Sequence, residues 1–247
     1  ERFGSSKNEP GDVYWDLFRL NNQNRSSGNT EGLYVIQYEH LNAGSTTKCN
    51  LNRFFLPSYE GLSLGGKTLF VGNTETKGGR GIGWVRPTNF FFYSAWGADA
   101  KNDIRNSAYN IVRDWRIDNP ASPYFGKWMI KDGINKLVAD TVRFWYSFIT
   151  KVARVSNMPP EVYKLNADGT PMLTAFGEKR VTNDANATFK DEYLFRRAET
   201  YLLRVEAYIG KGNSIGAAND INAIRLRANA TPISPSEATL DFVLDER

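Results

Sequence analysis

The chain holds one cysteine and one histidine in 247 residues. A lone Cys49 excludes an internal disulfide framework. With His40 as the single imidazole, a histidine-built metal site or a His-centred catalytic triad has nothing to work with. His40 follows an apolar, strand-like run and reads as structural. No run of about 18 apolar residues occurs, so the sequence offers no transmembrane helix. Blocks of Lys and Arg that would track a phosphate backbone are also missing, which argues against nucleic acid as a partner. The first residue is Glu1, with no Met, signal peptide or acylatable cysteine before it. The other end, TLDFVLDER, stops inside a helical pattern without a C-cap glycine, so the sequence reads as a piece of a longer chain.

What is present is ordinary apolar content with generous aromatics, 13% of residues. All six tryptophans lie before residue 146, in the irregular part of the chain. The net charge is +4, and the segment from Asp99 to Arg154, with ten Lys/Arg against six Asp, alone equals that excess. A mild basic balance reads first as a solvated surface and leaves an acidic ligand open.

Residues 1–30 are turn-rich around the aromatic run VYWDLFRL. EGLYVIQYEH at 31–40 is the clearest strand, β-branched and aromatic behind a glycine. Glycines crowd 42–83, including SLGGK and KGGRGIG. As a phosphate loop GGRGIG is weak, having no strand before it and no GK[ST] after it. PTNFFFYSAW suits a short helix with Thr88 as N-cap. DTVRFWYSFITK reads as an aromatic strand or buried segment, and 155–190 as loop, with PP and DG marking turns.

The character changes after residue 190. Over 191–210, Leu194, Ala198, Tyr201, Leu202, Val205, Tyr208 and Ile209 fall in a stripe roughly 120° wide at about 100° per residue. Gly210 and Gly212 end that helix, and Ser214 can cap the next. There Ala217, Ile221, Ile224 and Ala228 share a face small enough for close antiparallel packing. A third helix is predicted from Ser234 as N-cap, with Pro235 first and Glu237 closing a capping box. The two adjoining helices have the size of one tetratricopeptide-type unit. One unit cannot bury its own face, so the pattern alone predicts a mainly α protein: a helical repeat scaffold with long loops and a few short strands.

RRAETYLLRVEAYIGKGNSIGAANDINAIRLRANA followed by LDFVLDER resembles the C-terminal region of the SusD/RagB family of outer-membrane nutrient-binding lipoproteins. In that family a helix of the form RxAExxLxxAEAx precedes AxxDxNxxRxRA and then a helix ending in ER. Arg197, Ala198, Glu199, Leu202, Glu206 and Ala207 fit the first piece. Asp220, Asn222, Arg225, Arg227 and Ala228 fit the second, and Glu246–Arg247 begins the third. LYVIQYE, GWVRPTNFF, NDIRNSAYN and DTVRFWYSFITK resemble further family blocks in order, so the resemblance runs over 31–247. Val205 stands where Ala is commoner, on the same apolar face.

The resemblance implies one SusD-like domain over 1–247 lacking its N-terminal half. Residues 31–190 would be a loop-rich ligand-binding part, and 191–247 tetratricopeptide-like helices. It implies a non-enzymatic protein without cofactor or metal, held at the outer membrane of a Bacteroidetes-type cell by a lipid anchor outside this sequence. Such a protein captures glycans, or in some members peptides, and passes them to a SusC-like TonB-dependent transporter.

Sugar recognition needs aromatic faces for stacking and planar polar groups for paired hydroxyls. Trp84 beside Arg86 is the leading candidate, followed by Tyr59 in LPSYEG and Asn52 with Arg53 in NRFF. The competing assignment for Trp84 and Tyr59 is the core beneath a long loop. Phe90, Phe91 and Phe92 read as core, since three consecutive Phe rarely all face water. Arg197, Glu199, Arg225 and Arg227 read as structural ion pairs between helices. Two other functions compete. A tetratricopeptide adaptor shares the helices but leaves the aromatic, Gly-rich loops unexplained. A glycosidase needs two carboxylates flanking a cleft, and Glu60, Glu75, Asp99 and Asp103 show no such pairing in sequence.

Overall fold

The computed structural model describes residues 1–42, 48–138, 143–152 and 158–247. Among them, helices carry most of the regular structure, strands come in short antiparallel pairs, and loops dominate between. Parts of DTVRFWYSFITK and of 155–190 lie outside the described residues.

Strand β1 (Gly32–Ile36) forms as the sequence predicts, and its partner is β2 (Glu192–Arg196). The helical stripe drawn from 191 therefore begins too early. Residues 192–196 are extended because their N–H and C=O groups complete the ladder with β1, with Val35 opposite Tyr193 and Ile36 opposite Glu192. An unpaired backbone group costs more than a few tenths of helix propensity.

Helix α3 (Arg197–Gly210) starts directly where that strand ends. It closes with Gly212 at φ +71, where Gly212 N–H donates to Ile209 O at 2.9 Å and Asn213 N–H to Tyr208 O at 2.9 Å. Helix α4 (Ser214–Arg227) is capped by Asn213, whose Oδ1 accepts from Gly216 N–H at 2.9 Å. Ser214 is thus the first helical residue rather than the cap. Leu202 and Val205 of α3 pack on Ala217, Ala218 and Ile221 of α4, and the small residues let the backbones approach. Truncating Ile221, which has no exposed surface, removes contacts of the kind whose loss costs about 2–5 kcal/mol.

The third helix also starts later than predicted. Glu237 accepts from the N–H and the hydroxyl of Ser234 at 2.8 and 2.7 Å, but this closes a single tight turn, Pro235–Glu237. Helix α5 (Leu240–Glu246) is separate and capped by Thr239. Val243 joins the hairpin core, while Leu240 and Leu244 stay exposed.

Ion pairs fasten this helical end to the loops. Arg225 donates to Asp99 at 2.5 Å and to Glu246 at 2.7 Å, and Arg105 donates to Glu246 at 2.5 Å and to Asp103 at 2.6 Å. Arg227 pairs with Glu31 beside β1, and Glu199 lies 3.6 Å from Arg247. Arg197 instead donates to the Tyr201 hydroxyl.

The loop-rich part has its own core. Leu56, Leu69, Phe70, Trp115, Ile117 and Phe148 surround Tyr59. Trp115 is its hub, meeting Tyr59, Phe148 and Trp145 edge-on at 4.8, 5.4 and 5.1 Å between ring centroids. Edge-on aromatic pairs add about 0.5–1.5 kcal/mol each beyond the area they bury. A smaller cluster of Met158, Val162, Val181 and Phe189 lies beside it. Among the described residues no helix is long and apolar enough to cross a membrane.

Candidate functional site

The site grows from two segments held by the backbone. Helix α2 (Leu51–Phe55) offers its last carbonyls to residues 82–85: Ile82 N–H donates to Arg53 O at 2.9 Å, and Trp84 and Val85 N–H both donate to Phe54 O. This approach needs the glycines of GGRGIG. A Cβ on Gly81 would sit 2.3 Å from Leu56 O, and Gly83 has φ +65 with Arg143 O 2.4 Å from where its Cβ would be. The glycines serve close packing, in keeping with the weak phosphate-loop pattern.

That geometry turns Trp84 outward. It is 70% exposed, and its ring stacks on Phe54 at 5.4 Å with only 7° between planes. One face of the indole is thereby fixed and the other meets solvent. A rigid aromatic of this kind suits stacking against a sugar's C–H face.

Two residues on, Arg86 lines a cavity of about 300 Å³, at the lower end of ligand-pocket volumes. Its Nη2 donates to Asn89 Oδ1 at 3.1 Å, and its guanidinium lies 5.7 Å from the centre of the Tyr146 ring. The opposite walls come from residues 130–138 and 145–147, including Asn135, Trp145 and Ser147. Trp145 leans on the core hub Trp115, which makes that wall rigid. The Tyr146 hydroxyl donates to Val85 O at 3.3 Å. Burial pushes its pKa up, with the charge of Arg86 opposing, so it stays a neutral donor.

The segment 88–96 supplies the remaining wall. Thr88 Oγ1 accepts from Phe91 N–H at 3.3 Å, then the chain takes a wide turn, Phe90–Ser94, closed by Ala95 N–H on Phe90 O at 2.9 Å. The wide turn spreads the aromatic run. Phe92 alone goes into the interior, while Phe90 and Tyr93 are more than half exposed. The expectation of three core Phe is corrected accordingly. The Tyr93 hydroxyl lies 3.1 Å from Ser147 Oγ, bridging the walls. Behind it Arg113 donates to Phe92 O at 2.6 Å and to Asn106 Oδ1 at 2.5 Å, and burial lowers its pKa.

Tyr59 and Asn52 have no exposed surface, which removes them from any ligand-facing set. The Tyr59 hydroxyl donates to Gly79 O at 2.8 Å and accepts from Thr74 N–H at 3.1 Å, and burial pushes its pKa well up. It braces the loop beneath the site. Arg53 is half-buried on α2, its carbonyl bonded to Ile82 N–H. So Trp84 sits on α2, Arg86 opens into the cavity, and Tyr59 lies below. Sequence reasoning missed Phe54, Tyr93, Asn135 and Tyr146. Only the aromatic density of NFFFYSAW and RFWYSF pointed their way.

The four carboxylates weighed for a hydrolase each have a partner in the fold. Glu60 pairs with Arg80 at 3.4 Å, Glu75 accepts from Tyr163 at 2.6 Å, and Asp103 is tied to Arg105. Asp99 holds Arg225 and Thr231: burial alone would raise its pKa, but the Thr231 hydrogen bonds and the Arg225 charge bring it below the ordinary value. Among the described residues no cluster of His, Cys, Asp and Glu could hold a metal ion.

Compared with known proteins, residues 30–247 match the model of the SusD family. No curated protein matches the chain. A solved structure, surface glycan-binding protein A from Bacteroides thetaiotaomicron in complex with laminarihexaose, is similar at 19% identity with a TM-score of 0.48. The similarity covers 97% of this chain and 43% of that one. The chain thus spans less than half the length of that protein.

Proposed function

This chain belongs to the SusD family of non-catalytic binding proteins, and from that premise we propose that it captures glycans at the cell surface for a SusC-like TonB-dependent transporter. The observation that carries the reading is the solvent-facing indole of Trp84, backed by Phe54 and two residues from Arg86 at an aromatic-walled cavity. A fixed ring face with neighbouring planar polar groups is what a sugar ring with equatorial hydroxyls requires. In this reading Trp84 stacks on one sugar, and Arg86, Asn89 and Asn135 take hydroxyls of the next.

The division of labour follows the fold. Residues 31–190 form the ligand-binding part of a single SusD-like domain, and 191–247 contribute one tetratricopeptide-type unit of its scaffold. The α3–α4 hairpin and its close Ala-rich contact support that assignment. The lipid anchor and outer-membrane location belong to the same proposal. Peptide capture, as in RagB-like relatives, is the alternative use of the same surface.

Calorimetry and affinity electrophoresis of the full-length protein against a panel of glycans and a peptide mixture test the proposal. Glycan binding and co-purification of a TonB-dependent transporter are expected. Absence of both, with no peptide binding either, would sink it.

A further inference from the structure

Resting on the glycan-binding reading, we infer that the cavity beside Trp84 selects a sugar carrying a carboxylate, a hexuronic acid residue, and that Arg86 receives it. Three features of the cavity lead there.

The first is an unneutralised cation. Arg86 carries five N–H donors in a planar fork. Among the described residues its partners are a neutral amide oxygen, Asn89 Oδ1, and the face of the Tyr146 ring. No described Asp or Glu lines the cavity. Among the described residues, Asp114 accepts from Ile130 and Lys131 N–H at 2.7 and 3.0 Å, and Asp132 from Trp128 N–H at 2.6 Å. Buried carboxylates elsewhere in the molecule meet arginine directly, as at Arg105 and Arg225.

The second is the surrounding field. Arg113, behind Phe92 and Tyr93, bonds only to carbonyl and amide oxygens among the described residues. Arg113 is therefore a second arginine without a described carboxylate partner, set behind two of the residues that line the cavity.

The third is the company Arg86 keeps. Asn89 and Asn135, two planar amides, line the same cavity, so a uronic acid can bring a carboxylate to Arg86 and ring hydroxyls to the amides, which a bare sulfate ion cannot. A planar carboxylate also matches the guanidinium fork with two parallel bonds.

The test uses full-length protein and calorimetry with oligogalacturonate, oligoglucuronate and oligomannuronate. Each is paired with its carboxyl-reduced neutral counterpart, and a sulfated neutral oligosaccharide completes the set. At least one acidic oligosaccharide should bind about tenfold or more tighter than its reduced counterpart, with the difference shrinking as salt rises. Arg86→Gln should erase that preference at unchanged melting temperature, weakening the acidic ligand about tenfold more than its neutral counterpart. Arg86→Lys, which keeps the charge but not the fork, should retain the salt dependence and lose most of the affinity gain. Equal binding of acidic and reduced forms overturns this inference and leaves glycan capture standing. Preference for the sulfated ligand alone, or a preference surviving Arg86→Gln, also overturns it. Absence of binding to every glycan overturns both readings.

Discussion

Glu246→Gln is the sharpest probe of how the helical end is fastened to the loops. The Glu246 side chain is 3% exposed and accepts from two arginines at 2.5 and 2.7 Å. Gln keeps the shape but removes the charge, so Arg105 and Arg225 face a neutral oxygen and an NH₂ group. Losing one partner of a buried pair costs about 3–5 kcal/mol. Arg105 retains Asp103, and Arg225 retains Asp99 and the Thr231 carbonyl at 2.7 Å. Those remaining bonds bring the expected loss to roughly 2–3 kcal/mol, which corresponds to a fall in Tm of about 4–12 °C for a domain of this size. Thermal and urea denaturation of the full-length protein would measure it, with glycan binding as a control that should not change. A loss under about 0.5 kcal/mol would refute the reasoning, because it would mean the network behaves like screened surface bridges.

Tyr59→Phe should destabilise by about 1–3 kcal/mol, since Gly79 O and Thr74 N–H lose their shared partner inside the core. Its effect on sugar affinity should be nil, and a selective loss of binding without loss of stability would return Tyr59 to the ligand surface. Asp99 gives a pH dependence of known sign. Its folded pKa lies below the ordinary carboxylate value, so its contribution is complete above that value and disappears as pH falls through it and below. The stability gap between wild type and Asp99→Asn should therefore be widest near neutrality and close on acidification, and a gap that widens instead would contradict the assignment.

The sequence carried the scaffold more legibly than the site. Leu202, Val205, Ala217 and Ile221 repeat at helical spacing, and the structure packs them against one another. The strand at 192–196 was hidden because Leu194 fits the helical stripe and its ladder partner lies far away in sequence, at 32–36. The site was hidden for a related reason. Trp84 faces solvent only because Phe54 blocks its other side. Tyr93 and Tyr146 face one cavity only because a wide turn rotates one and Val85 anchors the other. Tyr59 looked like a displayed aromatic, yet its hydroxyl finds partners 15 and 20 residues away in the interior. Periodicity is local and survives in sequence, whereas convergence of loop side chains is set by contacts that no spacing rule records.

The central claim, a sugar platform at Trp84, is tested most directly by calorimetry of Trp84→Ala in the full-length protein against the glycan that the wild type binds. Stacking on a fixed aromatic is worth about 0.5–1.5 kcal/mol beyond buried area, and with the area itself lost the account predicts at least a tenfold weaker Kd. Tm should change little, because the exposed indole face contacts no core residue among those described. An unchanged Kd would contradict the account.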